Sequence, residues 1–234
     1  MNNMTIKWEE ITDDRSNNLE RVLKLYDSAF PIDIREPHHI LYKGLEYAEN
    51  NTPNRFRMLV GLKNDVPVSF ATGHYLADVN CGFIVYLGTD PNERSKGLGS
   101  QTLAQLEEAL NKDAILASNH PINAFILETE RVELAKTDAE KEDCRKRDRF
   151  YQKNGYVQLK DIDYVQPPLN GGNKAIPLKL LIKNSGKMDL TKTAREVIYS
   201  MYNHKYHAVN DIPLEVLNHC LQKMNISEAF QKVK

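Results

Sequence analysis

A short segment at residues 94–100, RSKGLGS, combines two basic side chains with two glycines. Directly after it, Leu103, Leu106 and Leu110 recur at the spacing of one helix face. The first turn of a helix has unpaired N–H groups and a partial positive charge, and glycine lets a ligand approach the backbone. Arg94 and Lys96 add cations that suit phosphate oxygens. The segment therefore predicts a diphosphate site, and the alternative is a plain surface turn with two basic residues.

Two common nucleotide-binding patterns do not fit this segment. After Gly97 and Gly99, the third glycine position of the Rossmann pattern is Thr102, and the Walker spacing of a P-loop is absent from the sequence. The pattern that remains is Arg94-x-x-Gly97-x-Gly99. It stands between a helix and the apolar run CGFIVYLGT, which predicts a strand covered on both faces.

This arrangement resembles motif A of the GNAT superfamily of N-acetyltransferases, Q/R-x-x-G-x-G/A. Further along the chain, FYQKNGY (residues 150–156) resembles motif B of the same family. The resemblance extends from Thr5 to Lys183. It implies the α/β fold (an α+β sandwich) of the GNAT acyl-CoA N-acyltransferases, with a mixed, mostly antiparallel sheet flanked by helices.

The resemblance also implies a co-substrate, acetyl-CoA, and no metal. Leu87 and Thr89 are expected to pair their backbone with the pantetheine arm. The pyrophosphate is expected to meet the backbone amides of Arg94, Ser95, Lys96, Gly97, Leu98, Gly99 and Ser100. On the motif B helix the chain departs from the family, because the positions that often hold an asparagine and a small residue fall near Cys144 and Arg147.

Acetyl transfer to an amine benefits from a proton donor for the departing thiolate, and Tyr151 is the candidate. It lies in motif B where many GNAT enzymes have a tyrosine, and a phenol is a neutral donor near pH 7. On the predicted helix, Cys144, Asp148 and Tyr151 share one face. The alternative is that Tyr151 only packs in the core.

A base must also remove a proton from the acceptor ammonium, whose pKa is about 10.4 for a lysine-type amine. Glu128 is the candidate, since it lies where the strand AFILETE turns from apolar to acidic. Glu130 and the strand residue His74 are weaker candidates. The alternatives are that the glutamates are solvated rim residues and that His74 is a packing residue.

The composition is that of an ordinary soluble globular protein, with 234 residues, 41% hydrophobic residues and 27% charged residues. A net charge of −1 gives no overall attraction to nucleic acid or to an acidic membrane, and no run is long enough to span a bilayer. Three widely spaced cysteines predict reduced thiols and a cytoplasmic location. The histidine pair His204 and His207 lacks further ligands at metal-binding spacing, so we predict no metal site.

The pattern of elements predicts two domains. Residues 1–186 have the order β-α-α-β-β-β-α-β-α-β-β of a GNAT acetyltransferase domain, and residues 187–234 form a C-terminal helical appendage. Val197, Ile198, Met201 and Tyr202 line one predicted helix of the appendage, and Leu214, Leu217, Leu221 and Met224 line the other. These apolar faces must be buried, over the mouth of the site or in a homodimer.

The predicted function is acetyl-CoA-dependent N-acetylation of a primary amine of a small molecule or peptide, by direct attack in a ternary complex. A second hypothesis is a catalytically inactive acyl-CoA-binding sensor, and a third, weaker one is nucleotide or RNA binding by the basic loop. The resemblance places acceptor specificity in residues 31–39 and 166–174, where Asp33, Arg35 and Glu36 do not choose between candidate amines.

Overall fold

A computed structural model gives the structure of the chain and describes residues 5–30, 32, 35–118, 120–160, 162–169, 174–186 and 190–226. The chain divides into two compact units. The first unit comprises the chain up to Ala77 together with Gly82–Ile122. The second comprises Asp78–Cys81 and the chain from Asn123 onwards.

The first unit is built on four neighbouring strands that follow one another in chain order. Its elements are β1 (Lys7–Ile11), α1 (Leu19–Ala29), α2 (His38–Asn50), β2 (Arg55–Lys63), β3 (Val66–Leu76), β4 (Cys81–Thr89) and α3 (Leu98–Ser118). Strands β1, β2 and β3 pair antiparallel, and β4 lies next to β3.

Both faces of this sheet are covered, and the alternation of side chains along β2 shows how. Met58 and Val60 belong to the buried core that α1 completes with Val22 and Tyr26. On the opposite face, Arg57 donates from Nε to the buried Asp113 of α3 at 2.8 Å. Because side chains alternate between the two faces of a strand, β2 presents an apolar face to α1 and an ion pair to α3.

The second unit is also mostly antiparallel. Its elements are β5 (Ala124–Glu130), α4 (Asp138–Lys153), β6 (Val157–Leu159), β7 (Val165–Gln166), β8 (Ile176–Asn184), α5 (Leu190–Met201), a π-helical turn (Tyr202–His207) and α6 (Leu214–Lys223). Strands β5, β6 and β7 each pair antiparallel with β8. The whole is a mixed α/β fold of mostly antiparallel strands flanked by helices, as the resemblance predicted.

The run YVQLKDIDYV was predicted as one strand, and the structure divides it into β6 and β7. Pairing with β8 stops after Leu159 and resumes at Tyr164, whose carbonyl accepts from the Leu178 N–H at 3.1 Å. The guanidinium of Arg131 lies at this resumption and donates to the carbonyls of Leu178 (2.9 Å) and Tyr164 (3.4 Å). The side chain of Tyr164 is fully buried.

Helix α4 has both of the end signals that the sequence indicated. Thr137 and Glu140 form a capping box, in which each side chain accepts from the other residue's backbone N–H. The helix ends before Gly155, whose φ of 89° lies in the left-handed region that favours glycine. Tyr151 is thereby placed in the last turn of α4.

The C-terminal helices pack within the second unit. Val197, Ile198, Met201 and Tyr202 are buried as predicted, and Leu217, Leu221 and Met224 are buried on the second helix. Ala194, Val197 and Ile198 line a small apolar cavity together with residues of β5 and β8. The predicted domain boundary falls between residue 186 and residues 187–189, which lie outside the described residues, and it stays a prediction.

Candidate active site

The segment Asp90–Ser100, called the basic loop below, follows β4 and opens α3. Its start is held to β3, because the Asp90 N–H donates to the Val68 carbonyl at 2.8 Å. The Asp90 side chain accepts from the Asn92 N–H at 2.8 Å and fixes the turn. The end of the loop is held by Thr102, which donates to the Leu98 carbonyl at 2.8 Å and also bonds to Ser69 of β3 at 2.9 Å. The position that fails the Rossmann pattern is therefore an anchor of the helix.

Between these anchors the loop has two residues with left-handed backbone. Ser95 and Gly97 have φ values of 63° and 80°, both in the left-handed region. A Cβ added at Gly97 would meet nothing within 4 Å, so the loop is open there. Within the described chain, the N–H groups of Ser95 through Ser100 have no backbone or side-chain acceptor, and the first helical bond comes from Gln101 to the Gly97 carbonyl at 3.2 Å. A run of unpaired N–H groups at a helix start is an anion-binding arrangement.

The two basic side chains of the loop differ in their surroundings. Lys96 donates to the Asn92 carbonyl at 2.8 Å and to Glu93 at 3.1 Å. Glu93 also accepts from Lys63 at 2.8 Å, and the hydrogen bonds from Lys63 and then Lys96 lower its pKa. Arg94 is exposed and has no ion pair among the described residues. The loop thus has one engaged cation and one that is available to a ligand.

Leu87 and Thr89 are the predicted contacts of the pantetheine arm. Both are half-buried, in the last three positions of β4. Since they are two residues apart on a strand, their side chains share one face. The strand then continues directly into the basic loop, so these two residues precede the exposed N–H groups by only a few positions.

Tyr151, the predicted acid, is half-buried and packs against the rings of Phe150 (centroids 5.0 Å apart) and Tyr156 (5.7 Å). Its hydroxyl has no hydrogen-bond partner in the part of the chain that the structure describes. Burial raises the pKa of Tyr151 to about 12, with Arg147 lowering it and Glu130 raising it to lesser extents. The phenol is therefore neutral near pH 7 and retains its proton for donation.

The helix face around Tyr151 is the one that the sequence predicted. Cys144 is buried, and Asp148 forms an ion pair with Lys179 of β8 at 2.6 Å. This pair is largely shielded from water and joins α4 to β8. The predicted departure from the family is also visible, since Arg147 contacts the Cys144 sulfur at 3.5 Å and forms an ion pair with Glu130 at 3.0 Å.

Glu128, the predicted base, is not a solvated rim residue. Its carboxylate is half-buried and accepts hydrogen bonds from the hydroxyl of Tyr164 and from the Gln166 amide at 2.7 Å. The Tyr206 hydroxyl lies 2.6 Å from both carboxylate oxygens. Burial raises the pKa of Glu128, and the hydrogen bonds together with the charge of Lys205 oppose that rise. We call Glu128, Tyr164, Gln166 and Tyr206 the Glu128 cluster.

Sequence reasoning missed the three donors of this cluster. Tyr164 was assigned to an ordinary strand, Gln166 to the loop after it, and Tyr206 belongs to the segment treated as an appendage. One signal was present, because Tyr164 and Gln166 are two positions apart and so share a strand face. Nothing in the sequence connects that face to Tyr206, which is brought there only by the packing of the C-terminal helices.

Two other residues that the sequence singled out, His74 as a weaker candidate for the base and Glu36 in the acceptor region, are buried in the structure. His74 is buried, with its ring centroid 4.9 Å from that of Phe56, so the packing interpretation holds. Glu36 is only 1% exposed, and its N–H donates to the hydroxyls of Tyr26 and Tyr86 at 2.8 and 3.1 Å. It is therefore not a surface charge that could attract an amine.

Other parts of the predicted acceptor region have less structural information. Arg35 is engaged by Asp27 at 3.0 Å. Pro31, Asp33, Ile34 and residues 170–173 lie outside the described residues. Among the residues that are described, no three or more side chains form a metal-binding group, and no helix has the length and apolar character needed to cross a bilayer.

Comparison with known proteins supports the motif assignment. The model of the acetyltransferase (GNAT) family matches residues 19–126. A GNAT-family protein from Bacteroides thetaiotaomicron is 22% identical, with a TM-score of 0.65, and the match covers 89% of this chain and 100% of that one. A GNAT-family acetyltransferase from Staphylococcus aureus is 15% identical, with a TM-score of 0.52 over 77% of this chain and 99% of its own. No curated protein matches the chain.

The match to the Bacteroides structure also bears on the C-terminal segment. Its 89% coverage is more than residues 1–186 contain, so part of the C-terminal segment has a counterpart in that fold. The Staphylococcus structure covers less of the chain. The recognition from the motifs is therefore confirmed, since residues 19–126 match the model of the acetyltransferase (GNAT) family.

Proposed function

We propose that the chain transfers an acetyl group from acetyl-CoA to a primary amine of a small molecule or peptide, by direct attack in a ternary complex. The family match supports acyl transfer. The single observation that carries acetyl-CoA is the basic loop, whose consecutive N–H groups from Ser95 to Ser100 have no acceptor within the described chain. A diphosphate supplies the oxygens that such groups lack.

The reaction assigns each candidate residue a role. The loop amides and Arg94 bind the pyrophosphate, and the backbone of Leu87 and Thr89 pairs with the pantetheine arm. Glu128 first takes one proton from the acceptor ammonium, and the free amine nitrogen then attacks the thioester carbonyl carbon, so that a C–N bond forms and the C–S bond breaks. Tyr151 gives its proton to the departing thiolate and regains a proton from the nitrogen, which leaves a neutral amide and a free thiol.

The electrostatics of the two side chains suit these roles. Burial raises the pKa of Glu128 above that of an exposed carboxylate, which makes its anion a stronger base. Burial likewise raises the pKa of Tyr151, which keeps the phenol protonated near neutral pH. We propose only the chemical class of the acceptor, a primary amine, because the described residues of the acceptor region do not select a particular compound.

The acyl-CoA sensor is the second candidate, and one observation favours it. The Glu128 carboxylate already accepts from three side chains, which is how a structural glutamate is held. In a sensor, the loop would bind the coenzyme and no proton transfer would be needed.

A cytoplasmic location and a homodimer stay predictions. The three cysteines are free, in keeping with a cytoplasmic location.

Two glycine variants test the loop assignment. Gly97 and Gly186 both have left-handed φ values, 80° and 83°, and a Cβ at either would meet nothing within 4 Å. Gly97→Ala and Gly186→Ala therefore impose the same backbone strain, on the order of 1 kcal/mol each. We expect only Gly97→Ala to weaken coenzyme A binding, by about tenfold or more in calorimetry, because only there does the strain distort the N–H groups.

The same proteins separate enzyme from sensor. Release of free thiol from acetyl-CoA is measured with a polyamine, an aminoglycoside, a peptide N-terminus and a lysine side chain as acceptors. Amine-dependent release supports the transferase. Tight binding without release for any amine would favour the sensor, and equal coenzyme A affinity of the two glycine variants would remove the basic loop from the site.

A further inference from the structure

The Glu128 cluster is assembled across three segments of the second unit. Glu128 comes from β5, Tyr164 and Gln166 come from β7 and the residue before it, and Tyr206 comes from the π-helical turn after α5. Gln166 also donates to the Tyr206 hydroxyl at 3.2 Å. The Tyr206 hydroxyl thus accepts from Gln166 while it donates to Glu128, which fixes the direction of its proton.

The C-terminal segment supports the cluster a second time through the backbone of Val165. The Tyr202 hydroxyl donates to the Val165 carbonyl, and the Val165 N–H donates to the Met224 sulfur at 3.4 Å. Val165 lies between Tyr164 and Gln166, so residues of the C-terminal segment hold the strand from which both other donors project. The C-terminal segment therefore contacts the Glu128 cluster at several points, although the sequence predicts it to be an appendage.

The number of donors leaves room for chemistry. A carboxylate has about four lone-pair sites. Tyr164, Gln166 and Tyr206 occupy three of them, so about one acceptor site is left for a proton taken from outside. The arrangement holds the carboxylate in one orientation without saturating it.

We propose that Tyr206 is a positioning residue for Glu128, and that the C-terminal segment thereby forms part of the machinery that deprotonates the acceptor amine. This inference rests on the proposed transferase function. The ionisable groups that face Glu128 are the phenols of Tyr164, Tyr202 and Tyr206 and the ammonium of Lys205, which is buried and donates to Asn210 at 2.6 Å. Of these, Tyr164 and Tyr206 bond to the carboxylate.

Tyr206→Phe tests the inference, with Tyr26→Phe as the control. Both are buried tyrosines whose hydroxyls form hydrogen bonds, but the Tyr26 hydroxyl bonds to the backbone of Glu36, whereas the Tyr206 hydroxyl bonds to Glu128. Loss of a donor to the anion raises the pKa of Glu128. The acidic limb of the kcat/KM profile should therefore move up by about one pH unit in Tyr206→Phe and stay in place in Tyr26→Phe.

A titration of the Glu128 carboxyl by carbon-13 NMR, assigned by its loss in Glu128→Gln, gives a readout that does not need turnover. A shift of the carboxyl titration that matches the shift of the limb supports the inference. It is overturned if neither moves, or if the carboxyl moves and the limb does not. Absence of amine-dependent thiol release by the wild-type protein, with coenzyme A still bound, instead overturns the proposed function.

Discussion

The basic loop and the Glu128 cluster satisfy their polar groups in opposite ways. In the loop, the N–H groups of Ser95 through Ser100 have no acceptor in the described chain. In the cluster, a half-buried carboxylate is held by Tyr164, Gln166 and Tyr206. Exposed donors cost little until a ligand takes them, whereas a buried charge must be paired within the protein.

Polar groups of the first kind have no partner until a ligand binds, and we call them waiting groups. Polar groups of the second kind are already held by the protein, and we call them positioned groups. Tyr151 resembles the loop, because its hydroxyl has no partner among the described residues. Tyr164 belongs to the other kind, since its hydroxyl bonds to Glu128. Removing a waiting group should impair function and spare stability, whereas removing a positioned group should also lower stability.

The largest expected effect is on turnover in Tyr151→Phe. The variant removes the proposed proton donor, and general acid catalysis contributes about 100-fold to 10,000-fold. Since no hydrogen bond of the described chain is lost, the free energy of unfolding should change by less than about 0.5 kcal/mol. Steady-state kinetics measures turnover, urea unfolding measures stability, and coenzyme A calorimetry checks that the variant still binds the co-substrate. Turnover equal to that of the wild type would return Tyr151 to a packing role.

The basic loop was predictable because its signals are local. A buried strand, Gly97 at a left-handed position, two cations and the leucine spacing of α3 follow one another within a short stretch. The capping box of α4, with Thr137 and Glu140 three residues apart, is local in the same sense and was also confirmed. Such features depend on neighbouring backbone and need no knowledge of distant packing.

The Glu128 cluster was not predictable because its members meet only through tertiary structure. Residues 128, 164 and 206 are separated by tens of positions, and their side chains meet only in the folded chain. The pattern at Glu128 alone, an acidic residue after an apolar run, predicts a solvated strand end. Its real environment is set by helices whose apolar faces were correctly predicted but whose partners were not.

The next effect in size is on stability in Tyr164→Phe. The half-buried carboxylate loses a donor, and a hydrogen bond to a charged group contributes about 1.5–3 kcal/mol. We expect a loss of about 2 kcal/mol in urea unfolding near pH 7. Tyr42→Phe is the control, because Tyr42 is exposed and its change should stay within about 0.5 kcal/mol.

The pH dependence of that loss has a definite sign. Burial raises the folded-state pKa of Glu128 above 4.5, so its contribution to stability is full below pH 4.5 and is lost as the pH rises through the folded pKa. Removal of Tyr164 raises that pKa further. The difference between wild type and variant should therefore grow from acidic to neutral pH, and a difference that shrinks would contradict an ionised, donor-held Glu128.

The smallest expected effect distinguishes the two cations of the basic loop. Arg94 has no ion pair in the described part of the chain, so Arg94→Ala should cost only its contact with the pyrophosphate, about tenfold in coenzyme A affinity. Lys96 must first leave Glu93 and the Asn92 carbonyl, which offsets its gain, and Lys96→Ala should cost about threefold. Calorimetry at two salt concentrations measures both.

Arg145→Ala is the control, since it removes one exposed positive charge outside the loop. It should leave coenzyme A affinity within about twofold, which separates a local contact from a change in net charge. None of the three variants should alter stability by more than about 0.5 kcal/mol, because exposed ion pairs contribute little. Equal losses for Arg94→Ala and Lys96→Ala would mean that the Glu93 contact does not restrain Lys96, and the contrast between engaged and waiting groups would then fail within the loop itself.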